Sequence, residues 1–119
     1  MITKNETIAV VGASNNHRKY GYQVVADLIS KDYHVIPINP KEENILEIHA
    51  FPELKHVKTK IDWVVFVVPP RITEKILVDV KKLKIPSVWM QPGSESDKAI
   101  KFCMKNNINC VHDTCIMLQ

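Results

Sequence analysis

Asp62-Trp63-Val64-Val65-Phe66-Val67-Val68-Pro69-Pro70 is the stretch that decides the fold of this chain. Its β-branched and aromatic residues run on without polar alternation, as in a strand covered on both faces of a sheet. Two prolines end it. Ile72, Ile76, Val80 and Leu83 then follow at four- and three-residue steps, so the next element is a helix with one apolar face. A buried strand leading straight into a helix is the building unit of a parallel sheet.

The same unit recurs on both sides. Upstream, Thr7-Ile8-Ala9-Val10-Val11 is another β-branched run, and Val24, Val25, Leu28 and Ile29 share one face of a helix closing near Lys31-Asp32. His34-Val35-Ile36-Pro37-Ile38 is the next strand, stopped by Asn39-Pro40. Pro37 has no N–H for the ladder, which favours a strand end or a weakly paired position. Residues 41–60 give a short strand around residues 48–50 and one helical turn near residues 53–56. Downstream come a strand at Ser87-Val88-Trp89-Met90, a helix carrying Ala99, Ile100, Cys103 and Met104, and a last strand at Asn109-Cys110-Val111-His112. The alternation predicts an α/β fold: a three-layer Rossmann-like domain with a mostly parallel five-stranded sheet and helices on both faces. Residues 1–119 are expected to form a single domain.

Composition narrows the function. With 45% apolar and 24% charged residues the chain reads as an ordinary globular protein. A formal charge of +3 attracts an anion, yet the basic residues are not interleaved with aromatics, so nucleic acid is set aside. The longest apolar run, residues 63–70, is under half of the roughly 20 residues needed to cross a membrane. Residues 1–6 carry no leader pattern, so no membrane partner and a cytoplasmic location are expected. Cys103, Cys110 and Cys115 lack a Cys-x-x-Cys pair, which predicts reduced thiols and no structural zinc. The five histidines show no metal spacing, so no metal site is expected.

Parallel sheets bind ligands at the carboxyl ends of their strands, near the point where strand order reverses. In this sequence those ends hold Gly12-Ala13-Ser14, Asn39-Pro40, Pro69-Pro70, Gln91-Pro92-Gly93 and Asp113-Thr114-Cys115. The first of them continues to Lys19-Tyr20-Gly21, placing two glycines, a hydroxyl and a cation at one strand-to-helix turn. Glycine admits close backbone approach, a helix amino terminus offers unpaired N–H groups, and a lysine adds charge, which together suit a phosphate. Turns that bind nothing also carry Gly and Ser, so the motif leaves both readings open. NAD-binding domains place Asp or Glu after the second strand for the ribose hydroxyls. Here Asn39-Pro40-Lys41 stands instead; Lys41 suits the 3′-phosphate of coenzyme A or the 2′-phosphate of NADP, and equally a solvated lysine in a turn, so this position leaves both readings open.

Several motifs occur in order: Val-Val-Gly-Ala-Ser at 10–14, Lys-Tyr-Gly at 19–21, Val-Ile-Pro-Ile-Asn-Pro at 35–40, Val-Val-Pro-Pro at 67–70, Trp-Met-Gln-Pro-Gly at 89–93 and Asp-Thr-Cys-Ile-Met at 113–117. Together they resemble the stand-alone CoA-binding domain proteins, similar to the CoA-binding domain of succinyl-CoA synthetase alpha subunits. The resemblance implies coenzyme A or an acyl-CoA as ligand and a pyrophosphate cradle at Gly12, Ala13, Ser14 and Lys19, with Gly21 of the same turn a further cofactor-binding candidate. It implies an adenosine end near Asn39, Pro40 and Lys41, with Pro69, Pro70, Gln91 and Gly93 toward the pantetheine arm. A homodimer or an acyl-CoA enzyme would be the protein partner. Glu47 departs from the family pattern, which commonly has a glycine there.

A non-catalytic binding or regulatory module is the leading reading. The alternatives are an acyl-CoA-processing enzyme or detached acyl-CoA synthetase component using Cys115, and an NADP-binding regulatory domain. Cys115 is the candidate nucleophile, but only His112 is near it in sequence to activate the thiol, and a packing role is expected. Trp63 and Trp89 read as core residues.

Overall fold

Neighbouring residues of the central strands bury into two separate cores, and this divides the molecule into three layers. The computed structural model describes residues 2–119. Five parallel strands, β1 (Thr7–Val11), β2 (His34–Ile38), β5 (Trp63–Phe66), β6 (Ser87–Met90) and β7 (Asn109–Val111), pair in the order β2-β1-β5-β6-β7. Ile8, Val10, Trp63, Val65 and Trp89 pack on the side of helix α1 (Tyr20–Ser30) with Val24, Val25 and Leu28. Ala9, Val11, Val64, Phe66, Val88 and Met90 pack on the other side, against Leu77 and Val80 of α2 (Pro70–Lys82) and Ala99 and Cys103 of α3 (Asp97–Lys105). The α/β expectation holds, with every strand of the main sheet parallel. Trp63 and Trp89 are buried core residues with ring centroids 6.1 Å apart.

Pro37 lies within β2, opposite Val10, rather than at its end. Its carbonyl accepts from Phe51 N on the outer edge, so its nitrogen faces the same side and the pairing with β1 loses no donor.

Residues 41–60 hold more than the sequence reading gave. A small antiparallel hairpin joins β3 (Asn44–Ile45) to β4 (Ile48–His49), and a 3₁₀ turn covers Leu54–His56. The hairpin's two turn residues, Leu46 and Glu47, have φ of 50° and 66°. A two-residue hairpin loop of this hand favours Gly or Asn, which is why neither β3 nor the turn was evident from the sequence. Glu47 is exposed, and the turn forms despite it.

Candidate functional site

Strand order reverses beside β1: the chain passes from β1 to β2 on one side, then crosses to β5 on the other. A cleft of about 680 Å³ opens there, at the carboxyl ends of β1, β2 and β5. The turn after β1 forms its floor. Gly12 has φ of 96°, and a Cβ on it would meet the Val67 carbonyl oxygen at 2.2 Å, so no side chain fits. Across the turn, a Cβ on Gly21 would meet the Gly12 carbonyl oxygen at 1.9 Å. The first turn of α1 therefore rests directly on the loop, and its amino terminus faces the cleft.

That helix end is not capped from within. Lys19 occupies the cap position without a side-chain bond. Among the described residues, the amides of Ala13, Ser14, Tyr20 and Gly21 have no protein acceptor. Free N–H groups at a helix start, with the positive end of its dipole, favour an anion. The loop between is stiffened by side chains bonding backbone: Ser14 Oγ accepts from Asn16 N at 3.0 Å, and Asn16 Oδ1 accepts from Arg18 N at 3.0 Å. Asn15 Nδ2 donates to the Asn44 carbonyl and to Glu42, each at 2.8 Å, fastening the loop to the hairpin.

Gly12, Ala13, Ser14, Lys19, Gly21, Asn39, Pro40 and Pro69 all line this cleft. Lys41, Pro70, Gln91 and Gly93 are not among its lining residues. Lys41 is exposed next to the rim, its amide bonded to Asn39 Oδ1 at 2.7 Å. Gln91 is fully buried behind the cleft: its Nε2 donates to Tyr20 Oη at 2.8 Å and to Cys115 Sγ at 3.2 Å, and its Oε1 accepts from Ile116 N at 2.8 Å. Cys115 Sγ is also 2.8 Å from Tyr20 Oη. Burial, with the bond to Cys115 added, pushes the Tyr20 phenol up from 10.0 to about 12. His112 is bonded to Asp113.

The structure adds residues to the site beyond the candidates named from the sequence, although Tyr20, Val67 and Val68 stood within the motifs that carried them. Tyr20, Leu54, Val67, Val68, Ile72 and Ile76 form apolar walls, and Glu53, Lys75 and Asp79 sit on the rim. Ile72 and Ile76 read as core residues because they share the helix face of Val80, yet Ile72 is 41% exposed. An apolar side chain left open at the first turn of a helix, directly after a strand end, is the signal that distinguishes a cleft wall from core. Among the described residues no group of three or more His, Cys, Asp or Glu could hold a metal ion, and no helix is long and apolar enough to cross a membrane.

Sheet order and cleft together define a Rossmann-like α/β protein with its open site at the switch point. Within that class the chain belongs to the CoA binding domain family, whose model matches residues 6–119. It is 35% identical over 75 residues to the ADP-forming acetate–CoA ligase II subunit alpha of Pyrococcus furiosus, a stretch that is 60% of this chain and 16% of that one. The chain thus spans only a small part of the length of the ligases it matches, 12% in the case of the Methanocaldococcus jannaschii acetate–CoA ligase. A conserved hypothetical protein from Pyrococcus furiosus has a solved structure that superposes with a TM-score of 0.91 at 33% identity, covering 95% of this chain and 97% of that one. A hypothetical protein from Pyrococcus horikoshii matches with a TM-score of 0.89 at 29% identity, over 93% and 78% of the two chains.

Proposed function

We propose that this chain binds coenzyme A or an acyl-CoA in the cleft between β1 and β5 and performs no chemistry of its own. The observation that carries the reading is the backbone contact between Gly12 and Gly21, which brings the uncapped start of α1 onto the turn after β1. The ligand's pyrophosphate sits against the amides of Ala13, Ser14 and Gly21, with Lys19 supplying charge. The adenosine end lies by Pro40 and Lys41, and the pantetheine arm runs past Pro69. The apolar walls made by Leu54, Val68, Ile72 and Ile76 suit the uncharged parts of such a molecule.

Two features favour binding over catalysis. The Cys115 sulfur is engaged by Tyr20 and Gln91, and neither is a base that could activate a thiol. The relatives named acetate–CoA ligases carry the matched stretch within much longer chains, so chemistry on the bound thioester is assigned to a partner enzyme.

Calorimetric titration tests the reading. Coenzyme A is expected to bind more tightly than ADP, and ADP more tightly than phosphate. Ser14→Ala combined with Lys19→Ala should weaken coenzyme A at least tenfold, about 1.4 kcal/mol. Coenzyme A binding no better than phosphate would overturn the reading, and displacement of coenzyme A by equimolar NADP would favour the NADP alternative. Acyl-CoA incubated with the protein should stay intact.

A further inference from the structure

We infer that Asn39 is a positioning residue for the phosphate turn, fixing the Ala13–Ser14 peptide so that its N–H serves the ligand. The inference rests on the phosphate-binding reading above and gives Asn39 a role other than contact with adenosine.

The side-chain amide of Asn39 is held at both ends. Its Oδ1 accepts from Lys41 N at 2.7 Å, and its Nδ2 donates to the Ala13 carbonyl at 2.8 Å. A donor facing one end and an acceptor facing the other leave a single orientation of the amide that satisfies both. The backbone of Asn39 is anchored as well, its N–H donating to the Phe51 carbonyl at 2.9 Å. Asn39 is therefore a fixed donor at the end of β2, aimed across the sheet at the turn after β1.

A trans peptide points its carbonyl and its N–H in opposite directions. With the Ala13 oxygen drawn toward β2, the Ser14 N–H is directed away from it, and no protein group accepts from that N–H among the described residues. Without the bond the peptide is free to rotate its carbonyl toward the cleft, where an oxygen would repel a phosphate. Aspartate in this place, the residue type NAD-binding domains use, would set a carboxylate against the Ala13 carbonyl and lose the donor. The amide thus makes the turn receptive to phosphate.

The test uses Asn39→Ala and Asn39→Asp in the full chain. Asn39→Asp retains the acceptor for Lys41 N, so it keeps that turn even if Asn39→Ala loosens it. Coenzyme A and inorganic pyrophosphate, which has no ribose or base, are each titrated into ¹⁵N-labelled protein. Both variants are expected to weaken both ligands by about tenfold, the loss of roughly one hydrogen bond's worth of orientation, and to shift the Ser14 amide resonance in the unliganded protein. If Asn39→Ala binds pyrophosphate within twofold of the wild type, the inference is overturned, since a ribose contact or a bare charge effect of the aspartate would give that result. A wild-type chain that binds pyrophosphate through Asn39 but not coenzyme A would remove the coenzyme A reading and leave this inference standing. A chain that binds neither overturns both.

Discussion

A Cβ on Gly21 would sit 1.9 Å from the carbonyl oxygen of Gly12, so the start of α1 and the end of β1 touch backbone to backbone. No side chain intervenes. The contact sets how far the helix amino terminus reaches toward the cleft, and with it the spacing between two groups of free amides. One group belongs to the turn at Ala13 and Ser14, the other to the helix at Tyr20 and Gly21. Binding a ligand across both requires this spacing to be kept.

Gly21→Ala is therefore expected to push the helix off the loop. The obstacle is a backbone carbonyl, which cannot swing aside like a flexible side chain, so the variant should lose about 1–3 kcal/mol of stability. Its coenzyme A affinity should fall by more than tenfold. Thermal unfolding and calorimetry on the same sample check the two effects. Full affinity in a folded Gly21→Ala protein would show that the spacing does not matter.

Gln91→Leu should be costly in a different way. The substitution keeps bulk but leaves the buried Ile116 N–H without its acceptor, and it takes a donor from both Tyr20 and Cys115. A loss of about 2–4 kcal/mol in urea unfolding is expected, the range for breaking a buried polar network. Because Gln91 lies behind the cleft wall rather than in it, affinity should fall less than in Gly21→Ala. A stability loss below about 1 kcal/mol would mean that the three bonds contribute little.

Glu47→Gly is expected to stabilise the chain. Glu47 holds φ of 66° in the hairpin turn, a conformation costing a non-glycine residue roughly 1–2 kcal/mol, partly offset by the extra freedom glycine gains when unfolded. A net gain near 1 kcal/mol corresponds to a rise of about 4 °C in melting temperature. Glu47 is exposed and outside the cleft lining, so coenzyme A affinity should not change. A melting point that stays put or drops would refute the strain argument.

The layered fold was legible because its strands are covered on both faces: Thr7–Val11, His34–Ile38 and Ser87–Met90 begin and end where their apolar runs do. The fifth strand was read through Val68 but ends at Phe66, where the chain bends and the Val67 carbonyl closes on Gly12. Hydrophobicity continues past that bend because Val67 and Val68 face the cleft, so the run could not mark it. The turn residues Gly12, Ser14 and Lys19 were legible from local chemistry. Gln91 was legible as an amide at a strand end, placed to bond a ligand or a neighbouring loop, and its Oε1 does accept from Ile116 N in the loop after β7. Its partners Tyr20 and Cys115 were not, being 71 and 24 residues away and brought together only by the fold. Leu54, Ile72 and Ile76 escaped for a related reason: a cleft wall and a core use the same residues.

The raised pKa of Tyr20 gives a prediction about alkaline stability. Its phenol is pushed up to about 12 in the folded chain against 10.0 ordinarily, chiefly because the side chain is partly buried and secondly because Cys115 is bonded to it. The folded state thus holds this proton more tightly than the unfolded state does. The stability that Tyr20 contributes is complete below pH 10 and is lost as pH rises through 12, while the unfolded chain has already given up its proton. Tyr20→Phe cannot ionise, so over this window its stability should decline less steeply than that of the wild type, although its value at pH 8 is lower for want of the hydroxyl's bonds to Cys115 and Gln91. Urea unfolding at intervals between pH 8 and 12 measures both slopes, and parallel curves for the two proteins would show that Tyr20 ionises as freely when folded as when unfolded.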